Sequence, residues 1–190
     1  MRCDRLLSTS MLYPGNYGYV PRTLSGDDDP LDILLVCDYS IYPGTVISVK
    51  VIGVLLTTDE KGADEKLIAV PAYEVDQSYE DINNYSDLCK SMTKRIYHFF
   101  EHYKDIDANK WVKVGGFKEA TIAHDIFEKS ILTYITNYGK FKNKTTTATA
   151  TATATVTATA TATDIDIGIF KSKILQTSNY CKLWLFIPVF

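Results

Sequence analysis

Long apolar runs are missing from this 190-residue chain: the longest, LWLFIPVF at 183–190, contains Pro188 and falls well short of the about 18 residues that span a bilayer. The first twenty residues, MRCDRLLSTSMLYPGNYGYV, lack the uninterrupted apolar stretch of a signal peptide. These two absences predict a soluble, cytoplasmic protein with no membrane partner. Paired cysteines are missing too. Cys3, Cys37, Cys89 and Cys181 form no CxxC unit, which argues against a zinc ribbon or a redox motif and for free thiols in a reducing compartment. Nor is there a basic excess: 20 Lys and Arg face 23 Asp and Glu, for a net charge of −3. A duplex nucleic-acid partner needs a clustered basic face, so none is expected.

What is present divides unevenly. Residues 145–163 read TTTATATATATVTATATAT, in which only Val156 is neither Thr nor Ala. A strand-like period of two exists there, but both faces are nearly identical, so register is unspecified and there is no apolar face to bury. The tract reads as a low-complexity linker. Residues 164–190 have no clear period and form a tail of unknown role. The globular domain is therefore expected at 1–144, where 17 basic residues oppose 21 acidic ones once the tail is set aside.

Within that domain, residues 32–37 (DILLVC), 45–57 (TVISVKVIGVLLT) and 66–70 (KLIAV) are rich in Val, Ile and Leu and bounded by Gly, Pro or Asp, so they read as strands. Ile96, Phe99, Phe100 and Tyr103 recur at helical spacing and predict an amphipathic helix. A second helix is expected after Gly115 and Gly116, with Ala123, Ile126, Phe127, Ser130 and Tyr134 on one stripe and Gly139 as its stop. Strands first and helices later predict a mainly-β α+β domain, a small barrel or curled sheet with flanking helices.

Chemistry concentrates in three places. In SGDDDPLDILL, Asp27, Asp28, Asp29 and Asp32 fall within six residues. Two unit charges 4 Å apart repel by about 1 kcal/mol in water and about 4 kcal/mol at an effective dielectric near 20. The segment is thus either a solvated Asp-rich turn or a loop that gathers hard divalent cations. An EF-hand does not fit, because a loop starting at Asp27 puts Pro30 at its fourth position and Asp32 where glycine is required. The second place, TTDEKGADEK, carries Asp59, Glu60, Asp64 and Glu65 with Lys61 and Lys66 interleaved. Alone it reads as an exposed hairpin loop; paired with the first, two oxygen-rich loops at strand ends could converge on several Mg²⁺ ions. The third is a set of phosphate donors: Arg5, Tyr13, Tyr17 and Tyr19, Lys66, Tyr103 and Lys104. Singly, these residues read as packing or solvated surface. His98 and His102 stand four apart, but HFFEH is not HExxH, and a structural role is the simpler reading.

Taken together, DRLLSTSMLYPGNYGYVPRTLSGDDDPLDILL, GVLLTTDEKGADEKLIAVP, and HFFEHYKD with KWVKVGGF resemble the soluble family I inorganic pyrophosphatases over roughly residues 3–140. DDDPLD matches that family's Asp-x-Asp-Pro-x-Asp signature. The resemblance implies an OB-like five-stranded barrel with flanking helices and Mg²⁺-dependent hydrolysis of pyrophosphate to two phosphates, with several ions per site. By position, it implies Asp27, Asp32 and Asp64 as ligands of a first metal, with Asp32 also bridging to a second. Asp59 pairs with Asp64 at a further, substrate-accompanying metal, and Asp29 is implied as general base. Arg5, Tyr17, Tyr103 and Lys104 take phosphate-binding places, with Lys66 and Tyr13 supporting the pocket. No covalent intermediate is required.

In the family, some tens of residues precede the position matched by Arg5 and supply early barrel strands, a phosphate-binding lysine and acidic pocket residues. Here Arg5 follows Met1 by four residues, so the barrel is expected to be incomplete at its N-terminal side and a homo-oligomer is expected through the exposed edge. The alternative function is a catalytically impaired metal- and phosphate-binding relative or fragment without turnover. Single-strand nucleic-acid binding on an OB-like surface is a third possibility, and the acidic loops oppose it.

Overall fold

The computed structural model of the chain describes residues 7–138. Arg5, the Thr-Ala tract at 145–163 and the tail at 164–190 lie outside the described residues. Six strands form one mixed sheet: β1 (Asn16–Tyr19), β2 (Asp32–Leu35), β3 (Val49–Asp59), β4 (Gly62–Ala63), β5 (Lys66–Pro71) and β6 (Val112–Glu119). Two helices accompany it, α1 (Lys90–His102) and α2 (Ala120–Tyr138).

The sheet runs β1-β2-β5-β3, with β1 antiparallel to β2, β2 parallel to β5 and β5 antiparallel to β3. β4 continues alongside β3 where β5 leaves off, and β6 covers the opposite side of β3. The described strands thus fill five sheet positions. No β1–β6 pairing closes the ring among the described residues, so their sheet is open, and an OB-like architecture is consistent with it.

Both faces of the sheet are buried. Ile33, Leu35, Leu67 and Ala69 pack with Ala123 and Phe127 of α2, while their sequence neighbours Leu34, Val36, Ile68 and Val70 pack with Ile96, Phe99 and Phe100 of α1. Alternating side chains therefore serve two apolar layers, and β2 and β5 read as continuous apolar runs. In β3 the parity changes: Val49, Val51 and Val54 face α2, but Ile52 and Leu55 face α1. A register shift between Val51 and Gly53 causes it. Gly53 is required there, since a Cβ would lie 2.8 Å from the Lys118 carbonyl oxygen.

Three departures from the sequence reading follow. β1 is formed by NYGY, a stretch read above only for its tyrosines. Gly115 and Gly116, read above only as preceding the second helix, belong to β6, and Gly116 has φ +92, while α2 begins after them at Ala120 as expected. β6 also falls between the two helices, because its partner β3 lies far back in the chain. Among the described residues no helix is long and apolar enough to cross a membrane.

Candidate active site

Strand register sets the centre of the site. Asp32 opens β2 and Lys66 opens β5, and the two are directly paired in the parallel ladder. The Lys66 ammonium, almost completely buried, donates to Asp32 Oδ2 and to Asp64 Oδ1. Tyr17 of β1 donates its hydroxyl to the same Asp32 oxygen. Burial alone would lower the Lys66 ammonium, but the Asp32 and Asp64 carboxylates outweigh it and hold it above the usual lysine range. For Asp64, burial and the carboxylates of Asp32 and Asp27 outweigh the lysine and raise its carboxyl. One internal cation serves more negative charge than it neutralises.

Asp64 is held from both sides by Thr57 of β3. Its N–H donates to the Thr57 carbonyl at 3.0 Å, and the buried Thr57 hydroxyl donates back to the Asp64 carbonyl oxygen. Asp59 ends β3, where Lys104, just past α1, donates to its Oδ2 at 2.6 Å and the Lys61 N–H donates to its Oδ1 at 2.8 Å. Burial would raise the Asp59 carboxyl, but these donors pull it below the usual value. Lys104 also approaches Glu60 Oε2 at 3.4 Å.

Tyr103 stacks on Phe99 with ring centroids 5.4 Å apart, and Tyr13 stacks on Tyr17 at 4.5 Å. Burial drives both the Tyr103 and Tyr17 phenols above their usual range, with nearby carboxylates adding to it. Both stay protonated; Tyr17 donates to Asp32, and a protonated phenol is a donor type that suits an anionic ligand. At the rim lies the Asp-rich loop. The Asp29 N–H donates to Asp27 Oδ1 at 3.2 Å, and burial raises the Asp27 carboxyl. Asp29 itself is exposed and meets the Lys61 ammonium at 3.0 Å.

The structure thus brings Tyr17, Asp32, Asp64 and Lys66 into one hydrogen-bonded group and Asp59 with Lys104 into another. Tyr103 feels the carboxylates of both. Asp27 acts electrostatically on Asp64 and Lys66, which places it beside the first group. Sequence reasoning missed Thr57, whose only signal is a polar residue directly after the apolar run Val54–Leu56 of β3, and gave Lys61 no role of its own. The His98 and His102 rings lie tilted to one another with centroids 4.7 Å apart at the end of α1, and His102 binds Asp105 and Glu101, all outside this group.

Among the described residues no three His, Cys, Asp or Glu side chains converge into a ready-made metal cage. The donor set is nevertheless carboxylate oxygen throughout, with ammonium groups as counter-charges: Lys66 between Asp32 and Asp64, and Lys104 on Asp59. That chemistry fits a hard divalent cation and not a thiolate- or imidazole-loving one.

Comparison with known proteins agrees. The family model described as inorganic pyrophosphatase matches residues 1–135. The inorganic pyrophosphatase of Rickettsia typhi is 49% identical over 128 residues, covering 67% of this chain and 72% of that protein. That of Agrobacterium fabrum is 48% identical over 133 residues, covering 70% and 75%. Among solved structures, the Helicobacter pylori inorganic pyrophosphatase superposes with a TM-score of 0.67 at 44% identity, over 69% of this chain and 77% of that one. The Thermus thermophilus enzyme gives 0.66 at 41%, over 70% and 76%. A family model matched over 1–135 and relatives at 49% and 48% identity place the chain in one family: it belongs to the inorganic pyrophosphatases.

Proposed function

We propose that this chain hydrolyses inorganic pyrophosphate to two phosphates with Mg²⁺ as cofactor, several ions per site. Asp27, Asp32, Asp59 and Asp64 would hold the metal. Arg5, Tyr17, Lys66, Tyr103 and Lys104 would bind the substrate, with Tyr13 backing Tyr17. Asp29 is the general base. The observation that carries the reading is the Lys66 ammonium shared between Asp32 and Asp64 at the aligned starts of β2 and β5. A carboxylate pair with one member buried and the other half-buried needs a cation, and a polyanion needs ammonium donors; the same residues supply both.

Bound Mg²⁺ would acidify a water and neutralise charge on the leaving phosphate. Asp29, at the rim and open to solvent, orients the attacking water and takes its proton as oxygen attacks phosphorus. The bridging P–O bond breaks as the new one forms, and Lys66, Lys104 and the two protonated phenols hold the negative phosphate oxygens in line. Residues 1–144 make up the catalytic unit in this reading, joined through the linker at 145–163 to the tail at 164–190. The chain works in the cytoplasm as a homo-oligomer, which sedimentation tests.

Phosphate release from pyrophosphate, measured with and without Mg²⁺, is the decisive assay. Dependence on the metal and collapse in Asp29→Asn and Asp32→Asn support the proposal, and full activity in both variants overturns it. Calorimetry that detects Mg²⁺ and phosphate binding without turnover would instead identify a catalytically impaired relative.

A further inference from the structure

Among the described residues three lysines meet the carboxylates of this site, and the family resemblance gives a role to only two, Lys66 and Lys104. The third, Lys61, lies in the turn between β3 and β4. Its N–H donates to Asp59 Oδ1 at 2.8 Å, which fixes the turn on the end of β3. Gly62 follows it at φ +137, a conformation that favours glycine. From this anchored position its ammonium reaches across to Asp29 Oδ2 at 3.0 Å.

The backbone bonds of Asp29 stay within its own loop: its N–H goes to Asp27 Oδ1 at 3.2 Å and its carbonyl accepts from the Ser25 N–H at 2.8 Å. The loop packs closely on β4, since a Cβ at Gly26 would lie 3.3 Å from the Ala63 carbonyl oxygen. Lys61 therefore ties the carboxylate of Asp29 to the hairpin that also carries Asp59 and Asp64.

We propose that Lys61 is a positioning residue for Asp29: it holds Oδ2 from the β3–β4 turn and leaves Oδ1 directed to the attacking water. This rests on Asp29 being the general base. With side chains 58% and 60% exposed, the pair adds little to stability, so its effect falls on turnover and not on folding.

Steady-state kinetics of Lys61→Ala and Lys61→Arg test it. An exposed pair of this kind corresponds to a loss of about two- to five-fold in kcat for the alanine variant. KM should stay within about two-fold, because a group that acts through the base does not bind substrate. Arginine, which retains the charge and reach, should restore kcat. Raising salt to about 1 M, where screening acts within about 3 Å, should bring the wild-type kcat toward that of Lys61→Ala. Independently of turnover, the ¹³Cε resonance of Lys61 should shift in Asp29→Asn. Unchanged kcat in Lys61→Ala, a raised KM with kcat intact, failure of arginine to rescue, or a ¹³Cε resonance indifferent to Asp29→Asn would each overturn the role of Lys61, while collapse of turnover in Asp29→Asn keeps the base assignment. A wild-type chain that binds Mg²⁺ but does not turn over removes the general-base reading, and the positioning role with it.

Discussion

The Lys104 ammonium lies 2.6 Å from Oδ2 of Asp59, tying the turn after α1 to the last residue of β3. Both side chains are largely buried, at 12% and 6% exposure. Removing the cation leaves a buried carboxylate with fewer donors, so Lys104→Met should lose about 1.5–3 kcal/mol of stability near neutral pH. The sign with pH follows from the lowered Asp59 carboxyl. Its stabilisation is fully present above the unfolded value of 3.8 and is lost as pH falls through the lower folded value. Denaturant melts of wild type and variant should differ near neutral pH and converge on acidification below that range.

Asp28 carries φ 65 in the middle of the Asp-rich loop. A left-handed conformation costs a residue with a Cβ about 1 kcal/mol, and Asp28 also sits among like charges. It is exposed and makes no catalytic claim, so Asp28→Gly should stabilise the folded chain by about 0.5–1 kcal/mol with pyrophosphate hydrolysis retained. A lower melting temperature would mean that the Asp28 side chain contributes more than its backbone strain costs.

How much of this was legible in the sequence depended on whether the signal was local. β2, β3 and β5 stood out because strands buried on both faces are continuous apolar runs, and α1 because its apolar residues recur at helical spacing. The first two strands end earlier or start later than expected, at Leu35 and Val49, since a strand lasts only as long as its partner. β1 and β6 were not legible: NYGY and VKVGGFKE contain glycines and lack an apolar run, and they are strands because β2 and β3 offer them edges. In the site, the acidic loops showed as composition. That Asp32 and Lys66 are ladder partners is a fact of register, which no local pattern contains.

Thr57 clamps Asp64 through two backbone-directed bonds. Thr57→Val keeps the shape, removes the hydroxyl donor and leaves the Asp64 carbonyl short of a buried partner, a loss of about 1–3 kcal/mol. The displaced Asp64 should also weaken metal use, so the variant should need more Mg²⁺ for half-maximal phosphate release. Thr57→Ser, which keeps the donor, should remain near wild type on both measures; equal behaviour of the Val and Ser variants would dismiss the clamp.

Metal removal should separate activity from folding. Lys66 neutralises part of the Asp32 and Asp64 charge from within, and Lys104 does the same for Asp59 and Glu60. With that internal compensation, the chelated protein should stop releasing phosphate yet still melt cooperatively, and Mg²⁺ should then raise the melting temperature only by the mass-action increment of a ligand that binds the folded state. Lys66→Met deletes the buried cation and leaves carboxylates facing one another, at a cost of about 3–5 kcal/mol without metal. In that variant Mg²⁺ replaces a missing charge and should stabilise more strongly than in the wild type. Thermal melts of the two proteins in chelator and across a Mg²⁺ series check this. If the wild type unfolds on chelation, or if both gain equally from the metal, Lys66 is not the internal counter-ion of the site.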